Sequence, residues 1–149
     1  MAGRTYRYFA GQPLYGFGYG LSYTTFAYSH LKLSQANLAA AEPLTVEADV
    51  TNTGKRTGDE VVELYLRGPQ AGGAPLRSLR AFQRVTLPAG EARHVLFRLQ
   101  PTQLSEVDQD GIRAMQPGSY TIFLGGGQPS HGAGVESQFA ISGRHEFTP

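Results

Sequence analysis

Glu106, Asp108 and Asp110 put acidic side chains at alternate positions ahead of Gly111. That pattern opens a calcium-binding loop, in which carboxylate oxygens converge on the ion and the glycine makes the sharp turn. The second half of such a loop is missing: its twelfth position, which should hold a bidentate glutamate, is Pro117, and its first is Glu106 in place of aspartate. A solvated hairpin connection is the reading these residues favour. Two carboxylates can also run glycoside hydrolysis, but they must flank a sugar across about 5 Å in a retaining site or roughly 6.5–9.5 Å in an inverting one. Asp108 and Asp110 sit on one short loop, and nothing in the sequence supplies the apolar pocket that would push their proton affinities apart. His30, His94, His131 and His145 are far apart in the chain and none has the i, i+4 spacing of a helical zinc site. The glycine-rich run Gly16-Phe17-Gly18-Tyr19-Gly20 lacks the strand-to-helix context and the lysine of a phosphate loop, and Ser22 lacks a nucleophile elbow. No catalytic, cofactor-binding or metal-ligating residue is assigned.

The concentration of aromatic rings near the start is the stronger signal. Tyr6, Tyr8, Phe9, Tyr15, Phe17, Tyr19, Tyr23 and Phe26 fall within the first 26 residues. Rings of that size demand burial. They can stack on sugar rings, or they can form a linker that packs along its own domain and a neighbouring one. The interleaved glycines favour close packing over a flat platform.

The elements that must carry these residues read as strands. Leu44, Val46, Ala48 and Val50 alternate with Thr45, Glu47, Asp49 and Thr51, a half-buried strand with period two. The same alternation recurs in Val62, Leu64, Leu66 and in Val95, Phe97, Leu99. Tyr120, Ile122, Leu124 and Val135, Ser137, Phe139, Ile141 supply two more, and Leu79, Phe82, Val85, Leu87 a weaker one. Near the front, Phe26 and Tyr28 share one phase and Leu31 and Leu33 the other, which predicts a bulge that resets the register. Turn chemistry separates the runs: Asn52-Thr53-Gly54 to Gly58, Pro69 to Pro75 with Gly72-Gly73, Pro88-Ala89-Gly90, and Pro117-Gly118. Thr102 to Val107 is the only stretch that reads as helical, a single turn with Thr102 as its N-cap. About seven strands and no amphipathic helix predict an all-β protein, a two-sheet antiparallel sandwich of the immunoglobulin or fibronectin type III-like kind with an extended N-terminal segment.

Composition sets the outer limits. The 149 residues fit one domain, and 40 % hydrophobic residues with eight Tyr and eight Phe supply a core without cross-links. Cysteine is absent, which removes disulfides and thiolate chemistry, and the compartment stays open. The net charge of +1 is spread along the chain, so no field draws in nucleic acid or an anionic membrane. Residues 1–7 hold no apolar stretch that reads as a signal peptide. A polar, Tyr-rich start suggests a piece of a longer gene.

Leu14-Tyr15-Gly16-Phe17-Gly18-Tyr19-Gly20-Leu21-Ser22-Tyr23-Thr24-Thr25-Phe26 resembles the F-G-x-G-L-S-Y-T-x-F signature that enters the last domain of family-three glycoside hydrolases. Arg4-Thr5-Tyr6-Arg7-Tyr8-Phe9 is similar to the segment that ends the preceding α/β domain in β-glucosidase and β-xylosidase members. Val50 to Gly54, Gly58 to Val62, Leu79 to Phe82, Leu87 to Glu91 and Pro117 to Tyr120 resemble that domain's strands and turns. One departure is Gly16, where the family often has proline. The resemblance implies residues 1–23 as the tail of an α/β domain and linker, 24–143 as a fibronectin type III-like sandwich, and 144–149 as a C-terminal tail. It also implies that the catalytic Asp and Glu of the parent enzyme lie in other domains. On that basis the expected role is bracing, with Tyr15, Phe17, Tyr19, Leu21, Tyr23 and Phe26 docking on the parent's catalytic domains. The parent is expected to be periplasmic or secreted. The alternative is weak binding of plant polysaccharide by exposed rings such as Tyr15 or Tyr65. A detached module is also expected to self-associate weakly through the same segment.

Overall fold

The computed structural model describes residues 3–69, 74–108 and 110–148. The Gly72-Gly73 turn expected between Pro69 and Pro75 lies outside these residues. In chain order the elements are α1 (Thr5–Tyr8), β1 (Phe26–Leu33), β2 (Asn37–Ala39), β3 (Leu44–Asn52), β4 (Gly58–Arg67), β5 (Ser78–Leu87), β6 (Ala92–Leu99), α2 (Pro101–Leu104), β7 (Glu106–Val107), β8 (Arg113–Met115), β9 (Gly118–Gly125), β10 (Gly134–Ser142) and β11 (His145–Phe147). Among the described residues, seven strands of eight residues or more make the sandwich: β1-β3-β6 form one sheet, and β10-β9-β4-β5, with the short β2 at its edge, form the other. A third small sheet, β11-β8-β7, closes one end.

The alternating residues of the sequence become the two inner faces. Leu44, Val46, Ala48 and Val50 are fully buried on β3, facing Val62, Leu64 and Leu66 of β4 and Ile122 and Leu124 of β9 in one core cluster. Each buried Leu, Ile or Val side chain among them contributes about 2 kcal/mol by leaving water. On β1 the pairing with β3 shifts register between Ser29 and Lys32, and His30 takes a positive φ of 54°. The bulge lets Phe26 and Tyr28, then Leu31 and Leu33, all pack against the core although their phases differ.

Departures from the sequence reading have local causes. Phe82, grouped with Val85 and Leu87, points outward and is 69 % exposed. It stands opposite Glu63 on the outer face, while Ala81 packs inward with the core. The helical turn begins at Pro101 and not at Thr102, because proline's fixed φ suits the first helical position. It ends at Leu104, and Glu106–Val107 pass into a strand. Four strands of two or three residues are too short to show a period, among them β2, which runs parallel to β10. Residues 145–147, read as part of a tail, pair with β8.

The Pro117-Gly118 turn starts β9 as expected, with Gly118 at φ 140°. A methyl group on Gly118 would lie 2.8 Å from Pro69 Cγ. Gly118→Ala is therefore expected to cost about 2 kcal/mol, through both a backbone region closed to L-residues and this clash. The readout is a lower urea midpoint at unchanged slope. Two residues on, the Tyr120 hydroxyl donates to the Gln116 carbonyl at 2.7 Å, and its ring stacks on Phe139 at 5.3 Å. A tyrosine at the start of a strand reaching back four residues is the tyrosine corner of immunoglobulin-like sandwiches.

Candidate functional site: the N-terminal segment and the outer sheet face

Residues 4–25 run across the outer face of the five-stranded sheet, pinned by their backbone at several points. At the α1 end, the Leu76 amide donates to the Arg7 carbonyl at 2.7 Å and the Leu79 amide to the Tyr6 hydroxyl at 3.2 Å. The Tyr6 ring stacks on Phe17, centroids 4.5 Å apart, and meets Tyr65 edge-on at 6.1 Å. Phe17 exchanges two hydrogen bonds with Gln128: its amide donates to Oε1 at 3.2 Å, and the Gln128 amide donates to its carbonyl at 2.9 Å. A β-turn follows, closed by the Tyr19 amide on the Gly16 carbonyl, with Gly18 at φ 81°. Glycine is required there by the backbone and again by space, since a Cβ would sit 2.6 Å from Glu63 Oε2. The segment ends at Thr24, whose hydroxyl donates to Asn52 Oδ1 at 2.6 Å.

With the backbone held, its apolar side chains divide into two sets. Tyr6, stacked on Phe17, lies against Tyr65, which is 1 % exposed, so Tyr65 is not available as a sugar-stacking ring. Leu21 and Tyr23 stand 93 % and 91 % exposed, and Leu14, Tyr15 and Tyr19 also face solvent. The Tyr15 and Tyr19 rings lie 4.8 Å apart, tilted by 40°. Phe26, grouped with these residues in the sequence, packs against the core on β1, and Phe17 is half-buried. Leu14, which opens the signature run, is almost fully exposed although it is not an aromatic docking candidate.

A knot of charge fastens α1 to β5 and β7. Glu106 accepts from Arg80 through Oε1, and from Arg7 at 3.3 Å through Oε2, while the Ser78 hydroxyl donates to Oε1 at 3.2 Å. Burial holds the Arg80 guanidinium below its usual proton affinity, and the Glu106 carboxylate opposes that effect. Two of the acids considered for calcium, Glu106 and Asp108, are thus in use. Glu106 belongs to this knot, and Asp108 Oδ1 accepts the amides of Asp110 at 3.0 Å and Ile112 at 2.9 Å inside the β7–β8 hairpin. Beside them is a groove of about 610 Å³, bordered among the described residues by Tyr8, Asp108, Asp110, Gln116 and Tyr120. Ser22 is engaged as well, its hydroxyl accepting the Thr24 amide at 3.3 Å.

Strand register assembles one cluster that spacing alone conceals. His30 on β1 and His94 on β6 both reach Asp49 on the central β3, each through Nδ1 at 2.9 Å. The two hydrogen bonds hold the Asp49 carboxyl below the usual range. Among the described residues no group of three His, Cys, Asp or Glu is disposed to hold a metal ion, and no helix is long and apolar enough to cross a membrane.

A two-sheet sandwich with a tyrosine corner, in which Glu106 is committed to ion pairs and Asp108 to capping backbone amides, defines an immunoglobulin-like module. Residues 60–128 match the family model described as the fibronectin type III-like domain. A β-xylosidase of Formosa agariphila is 46 % identical over 121 residues, which are 80 % of this chain and 17 % of that protein. A periplasmic β-glucosidase of Salmonella typhimurium is 40 % identical, over 81 % of this chain and 16 % of its own length. The solved structure of β-glucosidase 3B from Thermotoga neapolitana in complex with glucose superposes with a TM-score of 0.83 at 31 % identity, covering 97 % of this chain and 19 % of that one. The chain belongs to the fibronectin type III-like domains of family-three glycoside hydrolases and is not their catalytic part. It spans under a fifth of the length of these relatives.

Proposed function

We propose that the chain is the accessory domain of a β-glucosidase- or β-xylosidase-type enzyme, packing against the catalytic domains and stabilising them through its N-terminal segment. On this reading residues 1–23 are the end of the preceding domain and the linker, 24–143 the sandwich and 144–149 its tail. The carrying observation is that Leu14, Tyr15, Tyr19, Leu21 and Tyr23 are exposed on a backbone that the sandwich holds in place. Apolar groups presented in a row on a fixed frame leave a surface that favours burial against a partner. The parent's hydrolytic activity belongs to domains outside this chain, and a periplasmic or secreted setting suits the proposal.

The domain added in trans to the separately produced remainder of its parent enzyme is expected to bind with a Kd of about 1 µM. Leu21→Ser with Tyr23→Ser is expected to weaken that at least about tenfold, equivalent to about 1.4 kcal/mol. No association by calorimetry counts against docking. The same row predicts weak self-association of the isolated domain, visible by light scattering and lost in the double variant.

The tilted Tyr15–Tyr19 pair and the exposed Tyr23 favour one second reading, weak polysaccharide binding by ring stacking. Retention of the domain on insoluble xylan or cellulose, abolished by Tyr15→Ala with Tyr19→Ala, would support it. Passage of the domain straight through would remove it.

A further inference from the structure

We propose that Glu63 is a pH-sensitive seat for the N-terminal segment: with its carboxyl protonated, Phe17 and Gly18 bed most firmly onto the outer face of the five-stranded sheet, and ionisation weakens that seating while the Gln128 and Asn52 anchors remain. An outward-facing glutamate on a strand ordinarily reaches water, yet Glu63 is only 7 % exposed. What covers it is the turn at Gly18, close enough that a single added carbon would meet both carboxyl oxygens, at 2.6 and 2.7 Å. The covering segment gives nothing in return. Among the described residues the carboxyl receives one hydrogen bond, from the Tyr65 hydroxyl at 2.6 Å, and none from residues 16–20. A carboxylate has about four acceptor sites, and leaving them dry is costly, whereas a carboxylic acid tolerates the same setting far better. Water reaches an ionised Glu63 most cheaply if the turn above it lifts.

The surroundings do not neutralise this charge. On β4, Glu60 is bound to the Tyr28 hydroxyl at 2.5 Å, and Glu60 and Glu63 repel each other. From β5, Phe82 stands opposite, and the guanidinium of Arg84 is occupied by Asp59. From β9 the neighbour is Gly125, and from α1 it is the Tyr6 ring packed on Tyr65. Arg77 acts on the Tyr65 hydroxyl, and His131 lies beneath Gly16, bonded to Gln128 at 3.1 Å. Burial accordingly pushes the Glu63 carboxyl above its ordinary 4.5, against the lowering by Tyr65. An acid whose proton affinity is raised in the seated state supports that state fully below the ordinary value and loses the support as pH rises through the seated value. Seating therefore weakens upward from the mildly acidic range. Each pH unit between the two values makes the seated-to-lifted ratio about tenfold higher for the protonated form.

The test is an NMR titration of the 149-residue chain from about pH 4 to about pH 8, following the Glu63 carboxyl carbon and the Phe17 ring protons, which are shifted by the stacked Tyr6. Both signals are expected to move together with a midpoint above 4.5. Glu63→Gln keeps the acceptor for Tyr65 and is expected to hold Phe17 seated throughout. Tyr65→Phe removes the one donor and is expected to move the midpoint higher. A Glu63 carboxyl that titrates at or below its ordinary value overturns the proposal. So does a Phe17 transition that persists in Glu63→Gln and disappears in His131→Gln, which assigns it to the histidine.

Discussion

Asn52→Ala is expected to destabilise the domain by about 4 kcal/mol, the largest effect of any single substitution argued from this structure. The side chain is fully buried and uses all of its capacity. Oδ1 accepts from the Thr24 hydroxyl at 2.6 Å and the Gly54 amide at 3.0 Å, and Nδ2 donates to the carbonyls of Arg56 and Leu87, both at 2.8 Å. One residue thereby joins the end of the N-terminal segment, the β3–β4 turn and the end of β5. Removing it leaves four polar partners, each costing about 1–3 kcal/mol where water cannot reach it. The groups nearest Arg56 are only part-buried, which keeps the sum toward the lower end. For a domain of this size the loss corresponds to a Tm lower by roughly 10 °C or more. Asn52→Asp keeps the oxygen that accepts from Thr24 and Gly54 but loses both N–H donors, so a comparable loss is expected, whereas Thr24→Val should cost only about 1 kcal/mol. Equal effects from Thr24→Val and Asn52→Ala would mean that the turn does not depend on the asparagine.

Glu106→Ala comes next, at about 3 kcal/mol. Arg80 has 13 % of its side chain exposed and gives its charge to Glu106. Breaking such a pair from one side strands a cation in a place that cannot hydrate it, which is why single deletions cost more than the pair contributes. Glu106 itself is about a quarter exposed, so water recovers part of the loss and the estimate sits at the low end of the usual range. Its second partner, Arg7, belongs to α1, so residues 3–9 should become more susceptible to proteases in the same variant. Arg80→Met combined with Glu106→Leu should recover most of the stability in urea while leaving α1 loosely attached. If the double variant is as unstable as the single one, the stranded charge is not the cause.

The parts of the fold legible in the sequence are those whose pattern is local. Leu44 to Val50 alternate without a break, and the phase change from Tyr28 to Leu31 shows the bulge because a bulge is itself a phase change. Phe82 misleads, since Val85 and Leu87 of its run do face the core, whereas Phe82 is turned out opposite Glu63 and Leu79 stands opposite Tyr65. Tyr65 and Glu63 read as solvent-facing from β4 alone and are buried by a segment more than 40 residues away in sequence. The His30–Asp49–His94 cluster is set by the β1–β3–β6 register, which no spacing rule encodes. The aromatic density of residues 6–26 was visible from the start. Which rings turn inward and which outward depends on the hydrogen bonds of Gln128 and Asn52 to that segment.

The claim that this domain braces a larger enzyme through its exposed row is tested most directly by melting two proteins side by side: the intact parent enzyme and the domain alone, each with and without Leu21→Ser and Tyr23→Ser. Both residues are almost wholly exposed in the domain, so its own Tm should be unchanged, while that of the intact enzyme should fall by several degrees. An intact enzyme that melts at the same temperature with both substitutions in place would contradict the account.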